Sequence, residues 1–141
     1  IAGLAKSAEI VYKHFDEQTA QMRACKRRLI EGLRELDDVV IHGMPEEESA
    51  PQIVNASFLN VRSEVLLHTL EDRQIYVSAG SACSSHKRAG SPTLTAIGAS
   101  KAEIESAVRF SFSEFTTLEQ IDYTLDTLRE VLPMLRRFTR K

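Results

Sequence analysis

Apolar side chains recur every three to four positions over the first quarter of the chain. Leu4, Ala8, Val11, Phe15, Met22, Cys25, Leu29, Leu33 and Leu36 fall on one stripe, with Gln18 its one polar interruption. The spacing predicts a single helix from about residue 4 to residue 37. Drawn straight, it would be about 50 Å long at ~1.5 Å per residue, more than a compact domain of this size covers. A helix of this kind spans two domains, which suggests a missing partner. Cys25 lies on the stripe and reads as a small core residue, not a reactive one.

The period then shortens. Val39-Val40-Ile41 predicts a short strand ended by His42-Gly43 and Met44-Pro45. The acidic Pro45–Pro51 segment is expected to be a polar, mobile loop. Val54, Ala56 and Phe58 alternate with Ile53, Asn55 and Ser57, a strand with one apolar face. Ser63 is expected to cap a helix reaching about Arg73, buried through Val65, Leu66 and Leu70, with His68 at its boundary. Ile75 to Ser78 predicts another strand. Pro92 opens a short helix that Gly98 ends, and Ser100 with Glu103 forms a capping box for the next. Val108, Phe110 and Phe112 alternate with Arg109, Ser111 and Ser113, a further strand with Arg109 on its polar face. A capping signal at Thr116–Glu119 starts a last helix, striped by Leu118, Ile121, Leu125, Leu128, Leu132 and Leu135. Pro133 is expected to kink it, and its basic end, from Arg136, to be a solvated terminus. The layout is α/β: a small mixed or antiparallel sheet packed against helices.

Composition narrows the class without naming a function. At 141 residues, 43% hydrophobic and 27% charged, the chain holds about one domain and reads as a soluble globular protein. A formal net charge of −2 gives no global attraction to nucleic acid or an anionic membrane. No apolar run approaches the roughly 20 residues that span a bilayer. Two cysteines make no disulfide framework, and a reducing cytosol fits best. Neither cysteine lies at a metal-ligand spacing with His14, His42, His68 or His86. The chain opens at Ile1 without an initiator methionine, which suggests a removed N-terminus or a piece of a longer protein.

The stretch Ile75–Thr93 stands apart. Small residues from Ser78 to Ser85 surround Cys83, and His86, Lys87 and Arg88 follow. Positive charge beside a thiol lowers its pKa and raises its thiolate fraction. A mobile loop of this kind suits a sulfur carrier better than a fixed dyad, since no base is held beside the thiol; a plain surface turn is the alternative. Arg109 is the second candidate, because an arginine on a rigid strand can clamp a carboxylate with two parallel hydrogen bonds. A structural ion pair to an acidic side chain is its alternative. His86-Lys87 has the form of a Schiff-base dipeptide but lacks the surrounding pocket.

GSACSS, followed by PTLTAIGAS and SAVRFSFSEFTTLEQIDYTLDTL, resembles the C-terminal part of a NifS/IscS-type cysteine desulfurase of the class V aminotransferase family. The similarity covers nearly the whole chain: IAGLAKSAEIVY resembles the helix joining the two domains, and IVNASFLNVRSEVLLHTLEDRQIYVSAGSAC the small-domain core. The resemblance implies the C-terminal domain of a fold type I pyridoxal phosphate enzyme. Residues 1–38 would be the interdomain linker helix and 39–141 the small domain, carrying the cysteine loop at about 78–91, with the large cofactor-binding domain absent. Cys83 would attack the sulfur of substrate L-cysteine, become a persulfide and release alanine, and Arg109 would bind the substrate carboxylate. Ser81 and Ala82 would carry Cys83 inward.

The resemblance also implies pyridoxal 5'-phosphate as cofactor, a homodimer, and an iron–sulfur scaffold or sulfur-carrier protein as acceptor, in the cytoplasm. It implies no direct nucleic-acid or membrane partner. The family's His-Lys-x-x-Gly-Pro-Lys-Gly segment is missing, so this chain holds no cofactor-binding or metal-binding residue in this reading and is expected to be inactive alone. Ser113 and Glu114 stand where the family often has Gly and then Arg or Pro. Selenocysteine lyase activity and a non-enzymatic sulfur-relay or scaffold-docking module are the alternatives.

Overall fold

A computed structural model describes residues 1–79 and 91–139. The helix expected over 4–37 is two helices, α1 (Ala2–Lys13) and α2 (Phe15–Arg34). His14 separates them with φ −117° and ψ 13°, outside helical values. Asp16 and Glu17 occupy the first turn of α2, where carboxylates complement the positive end of the helix dipole. That acidic pair marks a helix start that the unbroken apolar stripe hides. No residue of α1 is buried, and Leu4 and Phe15 are 77% and 51% exposed.

The core is built on a four-stranded antiparallel sheet. Strands β1 (Val39–His42), β2 (Ile53–Phe58), β3 (Ser78–Ala79) and β4 (Ala107–Ser111) lie in the order β1-β2-β4-β3. Alternation places Val54, Ala56 and Phe58 of β2 and Val108 and Phe110 of β4 on one buried face. Phe58 and Phe110 meet edge to face, with ring centroids 6.2 Å apart. Against that face pack α2, through Leu29 and Leu33, α3 (Ser63–Glu71), through Leu66 and Leu70, and α6 (Leu118–Thr139), through Leu125, Leu128 and Leu132. Gly32 lets α2 and α6 approach: a Cβ there would lie 2.6 Å from Leu125 Cδ2 and 3.0 Å from Cγ. A side chain at this position would therefore overpack the helix contact.

Several local expectations hold. Ser91 accepts a hydrogen bond from the Leu94 amide at the head of α4 (Pro92–Ala96), with Pro92 in the first turn. Gly98 follows at φ +83°. Ser100 and Glu103 close the capping box of α5 (Lys101–Glu105), at 3.3 and 2.6 Å. The cap expected over Thr116–Glu119 forms one residue later, where Thr117 and Gln120 exchange the equivalent pair at the start of α6, at 3.3 and 3.1 Å.

Others are corrected. Arg62, not Ser63, is the residue before α3, and no side chain caps that helix. Val65 is 46% exposed, because Leu66 and Leu70 define the inward stripe of a nine-residue helix and Val65 lies off it. Ile75 to Val77 do not enter the ladder. The Ile75 amide bonds back to the Leu70 carbonyl after Gln74 turns through φ +61°, so pairing begins only at Ser78. The Pro45–Pro51 segment is tied to α2: the Lys26 ammonium donates to Ser49 Oγ and the Ala50 carbonyl at 2.7 Å each, and Arg27 pairs with Glu46. Arg136 is more than a solvated terminus, donating to the backbone carbonyls of Leu59, Asp37 and Asp38.

Candidate functional site

The face of the sheet opposite the core carries one polar row. Strand register sets His42 opposite Asn55, Asn55 opposite Arg109, and Arg109 opposite Ser78, across all four strands. Directly paired residues project to the same face, so these four side chains share one surface. His42, Asn55 and Arg109 of this row line the floor of a cleft of about 350 Å³, walled by Ser91, Thr93 and Leu94 near α4 and by Ile104 of α5.

Arg109 is the centre of this row. Val108 and Phe110 on either side of it are buried, which fixes its side chain outward, as the alternation predicts. Its Nη2 donates to Ser78 Oγ at 3.5 Å, and among the described residues no carboxylate pairs with it. The structural ion pair offered as its alternative is therefore not made by those residues. An unpaired guanidinium on a central strand, at the floor of a cleft, is suited to bind an anion bidentately.

The segment that carries Cys83 is tied to this cleft at both ends. It follows Ala79, next to the residue that touches Arg109, and precedes Ser91 on the cleft wall. Cys83 itself, with Ser81, Ala82, His86, Lys87 and Arg88, lies outside the described residues. Cys25 behaves as expected of a core residue. It is fully buried, its Sγ lies 3.4 Å from the Thr116 carbonyl, and burial together with Glu119 pushes its thiol pKa up. His68 is exposed and pairs with Glu71 at 3.1 Å.

Two residues of the row carry groups that period counting alone does not single out. His42 Nε2 lies 2.6 Å from Ser57 Oγ, and that hydroxyl lies 2.7 Å from the Glu103 carbonyl oxygen. A carbonyl only accepts, so Ser57 gives it the hydroxyl proton and accepts from His42 Nε2–H. Burial lowers the His42 pKa, and the negative charge of Glu103 partly opposes this. Asn55 Oδ1 is sealed from solvent and has no hydrogen-bond partner among the described residues. Among the described residues no cluster of His, Cys, Asp and Glu could hold a metal ion, and no helix is long and apolar enough to cross a membrane.

Residues 1–124 match the aminotransferase class-V family. The chain belongs to that family. Among curated proteins, a cysteine desulfurase IscS of Salmonella paratyphi C is 37% identical over 136 residues, which is 96% of this chain and 33% of that protein. An IscS of Salmonella arizonae is 36% identical over the same share. Among solved structures, a NifS-like protein superposes with a TM-score of 0.80 at 29% identity, over 94% of this chain and 33% of its own. The apo structure of a cysteine desulfurase from Thermococcus onnurineus NA1 gives 0.76 at 24% identity and shares the fold. The chain thus spans about a third of the length of the relatives it matches. The four-stranded antiparallel sheet packed against helices is the arrangement expected of this class V aminotransferase segment, and a NifS-like protein shares it.

Proposed function

We propose that the chain is the small-domain part of a cysteine desulfurase, in which Arg109 holds the carboxylate of L-cysteine and Cys83 receives its sulfur. The observation that carries this reading is the outward guanidinium of Arg109, unpaired with any described carboxylate, on the floor of a cleft joined to both ends of the Cys83 segment. Cys83 lies four residue steps beyond Ala79, a reach of at most about 14 Å, which supports reading the thiol and the guanidinium as parts of one site. The names of the curated relatives support the same activity.

In the transfer, the Cys83 thiolate forms an S–S bond to the substrate sulfur as the substrate C–S bond breaks. The bonding pair stays on the substrate β-carbon, which takes up a proton and leaves as alanine, while Cys83 holds a persulfide. Enzymes of this family depend in general on pyridoxal 5'-phosphate, which supplies the electron sink for such a cleavage. The described residues do not make a site for it. No described lysine lines the cleft that holds Arg109, and the one buried lysine, Lys26, is engaged by Ser49 and Ala50. We therefore assign no cofactor contact to the described residues. In this reading the cofactor belongs to a large domain, joined through the exposed helix α1, with residues 39–141 as the small domain. The full-length protein would be a homodimer that hands sulfur to an iron–sulfur scaffold or carrier protein.

The full-length protein is expected to release alanine from L-cysteine, and Cys83→Ser to lower that release by about a hundredfold or more. The isolated chain, with cofactor added, should release none. Undiminished turnover in the variant, or turnover by the isolated chain, would contradict the assignment.

A further inference from the structure

A guanidinium presents five N–H donors in a planar fork, and a bidentate carboxylate takes two of them. The others must be held if the fork is to keep its aim. In the described structure Arg109 has one such hold, the contact to Ser78 Oγ on β3, at the long limit of a hydrogen bond. On the opposite flank, in direct register across β2 and β4, stands Asn55, whose Oδ1 is buried with no donor among the described residues. An unsatisfied buried acceptor is a standing cost to a fold, and such groups call for a physical explanation.

The neighbours narrow the donor that Oδ1 awaits. His42 flanks Asn55 on β1, but its Nε2–H is given to Ser57, and the neutral ring has no second proton. The ammonium of Lys26, which shares a smaller cleft with Asn55, gives two of its three N–H groups to Ser49 Oγ and the Ala50 carbonyl, and its third makes no hydrogen bond to Asn55 Oδ1. Arg109 has donors to spare. Directly opposed residues on paired strands place their Cβ atoms about 5 Å apart, well within the reach of an arginine.

We propose that Asn55 is a positioning residue for Arg109. When a carboxylate occupies the cleft, Asn55 Oδ1 accepts one guanidinium N–H and Ser78 Oγ accepts another. The fork is then fixed from both neighbouring strands, and its free edge faces the ligand. This rests on the reading of Arg109 as the carboxylate anchor. Asn55 acts on substrate hold and not on sulfur chemistry, because no part of it is needed at Cys83.

The test uses the full-length holoenzyme with Asn55→Ala, Asn55→Asp, Arg109→Ala and the Asn55→Ala/Arg109→Ala double variant. Asn55→Ala is expected to raise KM for L-cysteine about tenfold with kcat changed less than about twofold, as for one lost charge-assisted hydrogen bond. The dissociation constant for L-alanine, which carries the same carboxylate and no sulfur, should rise in parallel. In the Arg109→Ala background, Asn55→Ala should add nothing to KM. Asn55→Asp is isosteric, so it carries the test even if the alanine variant does not fold. Its carboxylate would pair with Arg109 and compete with substrate, raising KM more than Asn55→Ala does. If Arg109→Ala raises KM while Asn55→Ala and Asn55→Asp do not, the positioning role fails and the anchor stands. Additive effects of the two alanine substitutions would also overturn the positioning role. If Arg109→Ala leaves KM unchanged, the anchor reading fails as well.

Discussion

The two faces of the sheet are made from alternate residues of the same strands, yet they solve different problems. The inner face sets Val54, Ala56, Phe58, Val108 and Phe110 against three helices and leaves almost no polar atom to satisfy. The outer face sets His42, Asn55, Arg109 and Ser78 in a row, with one buried acceptor unsatisfied and one guanidinium unpaired by any described carboxylate. Stability is concentrated on the first face and unspent hydrogen-bonding capacity on the second. A shift of one residue in register would exchange the two, so the core packing that fixes the strands also aims Arg109.

That contrast is broken most sharply by substituting across it. Phe58→Ala on the inner face should cost about 3–5 kcal/mol of folding stability, read from denaturant midpoints. Arg109→Ala on the outer face should leave that midpoint nearly unchanged while lowering kcat/KM for L-cysteine about a hundredfold in the full-length protein. A large stability loss in the arginine variant would mean that the outer face also holds the fold.

A smaller effect separates the faces by pH. Burial is the main cause holding His42 below its ordinary value of 6.5. The unfolded chain therefore takes up a proton at a pH where the folded chain does not. The contribution of neutral His42 is present above about pH 6.5 and is lost as pH falls below it. Between pH 7 and pH 5 the wild type should lose more stability than His42→Gln, as measured by denaturation at each pH. Equal slopes would show that His42 titrates alike in both states.

The elements were legible in the sequence wherever local chemistry decides them. Period-2 alternation placed Phe58 inward and Arg109 outward, and Ser100 with Glu103 announced its own capping box. Features that depend on distant neighbours were not. The break at His14 interrupts an apolar stripe that continues across it, and only the acidic pair Asp16 and Glu17 hints at a new start. The anchoring of the Pro45–Pro51 segment depends on Lys26, and the contact at Gly32 depends on Leu125, both known only once the helices are packed. The candidate site divides the same way. Arg109 was legible because its strand neighbours are apolar, whereas Asn55 joins it only through the β2–β4 register. Cys83 was singled out by its small-residue surroundings and by the basic residues His86, Lys87 and Arg88 that follow it.

The central claim is that Cys83 and Arg109 act on one amino-acid substrate. Mass spectrometry of the full-length protein after brief exposure to L-cysteine tests it most directly. The account predicts one added sulfur atom on the peptide containing Cys83, much reduced in Arg109→Ala at limiting substrate and restored at high concentration. Sulfur loading of Cys83 that is indifferent to Arg109, or sulfur found on another residue, would contradict it.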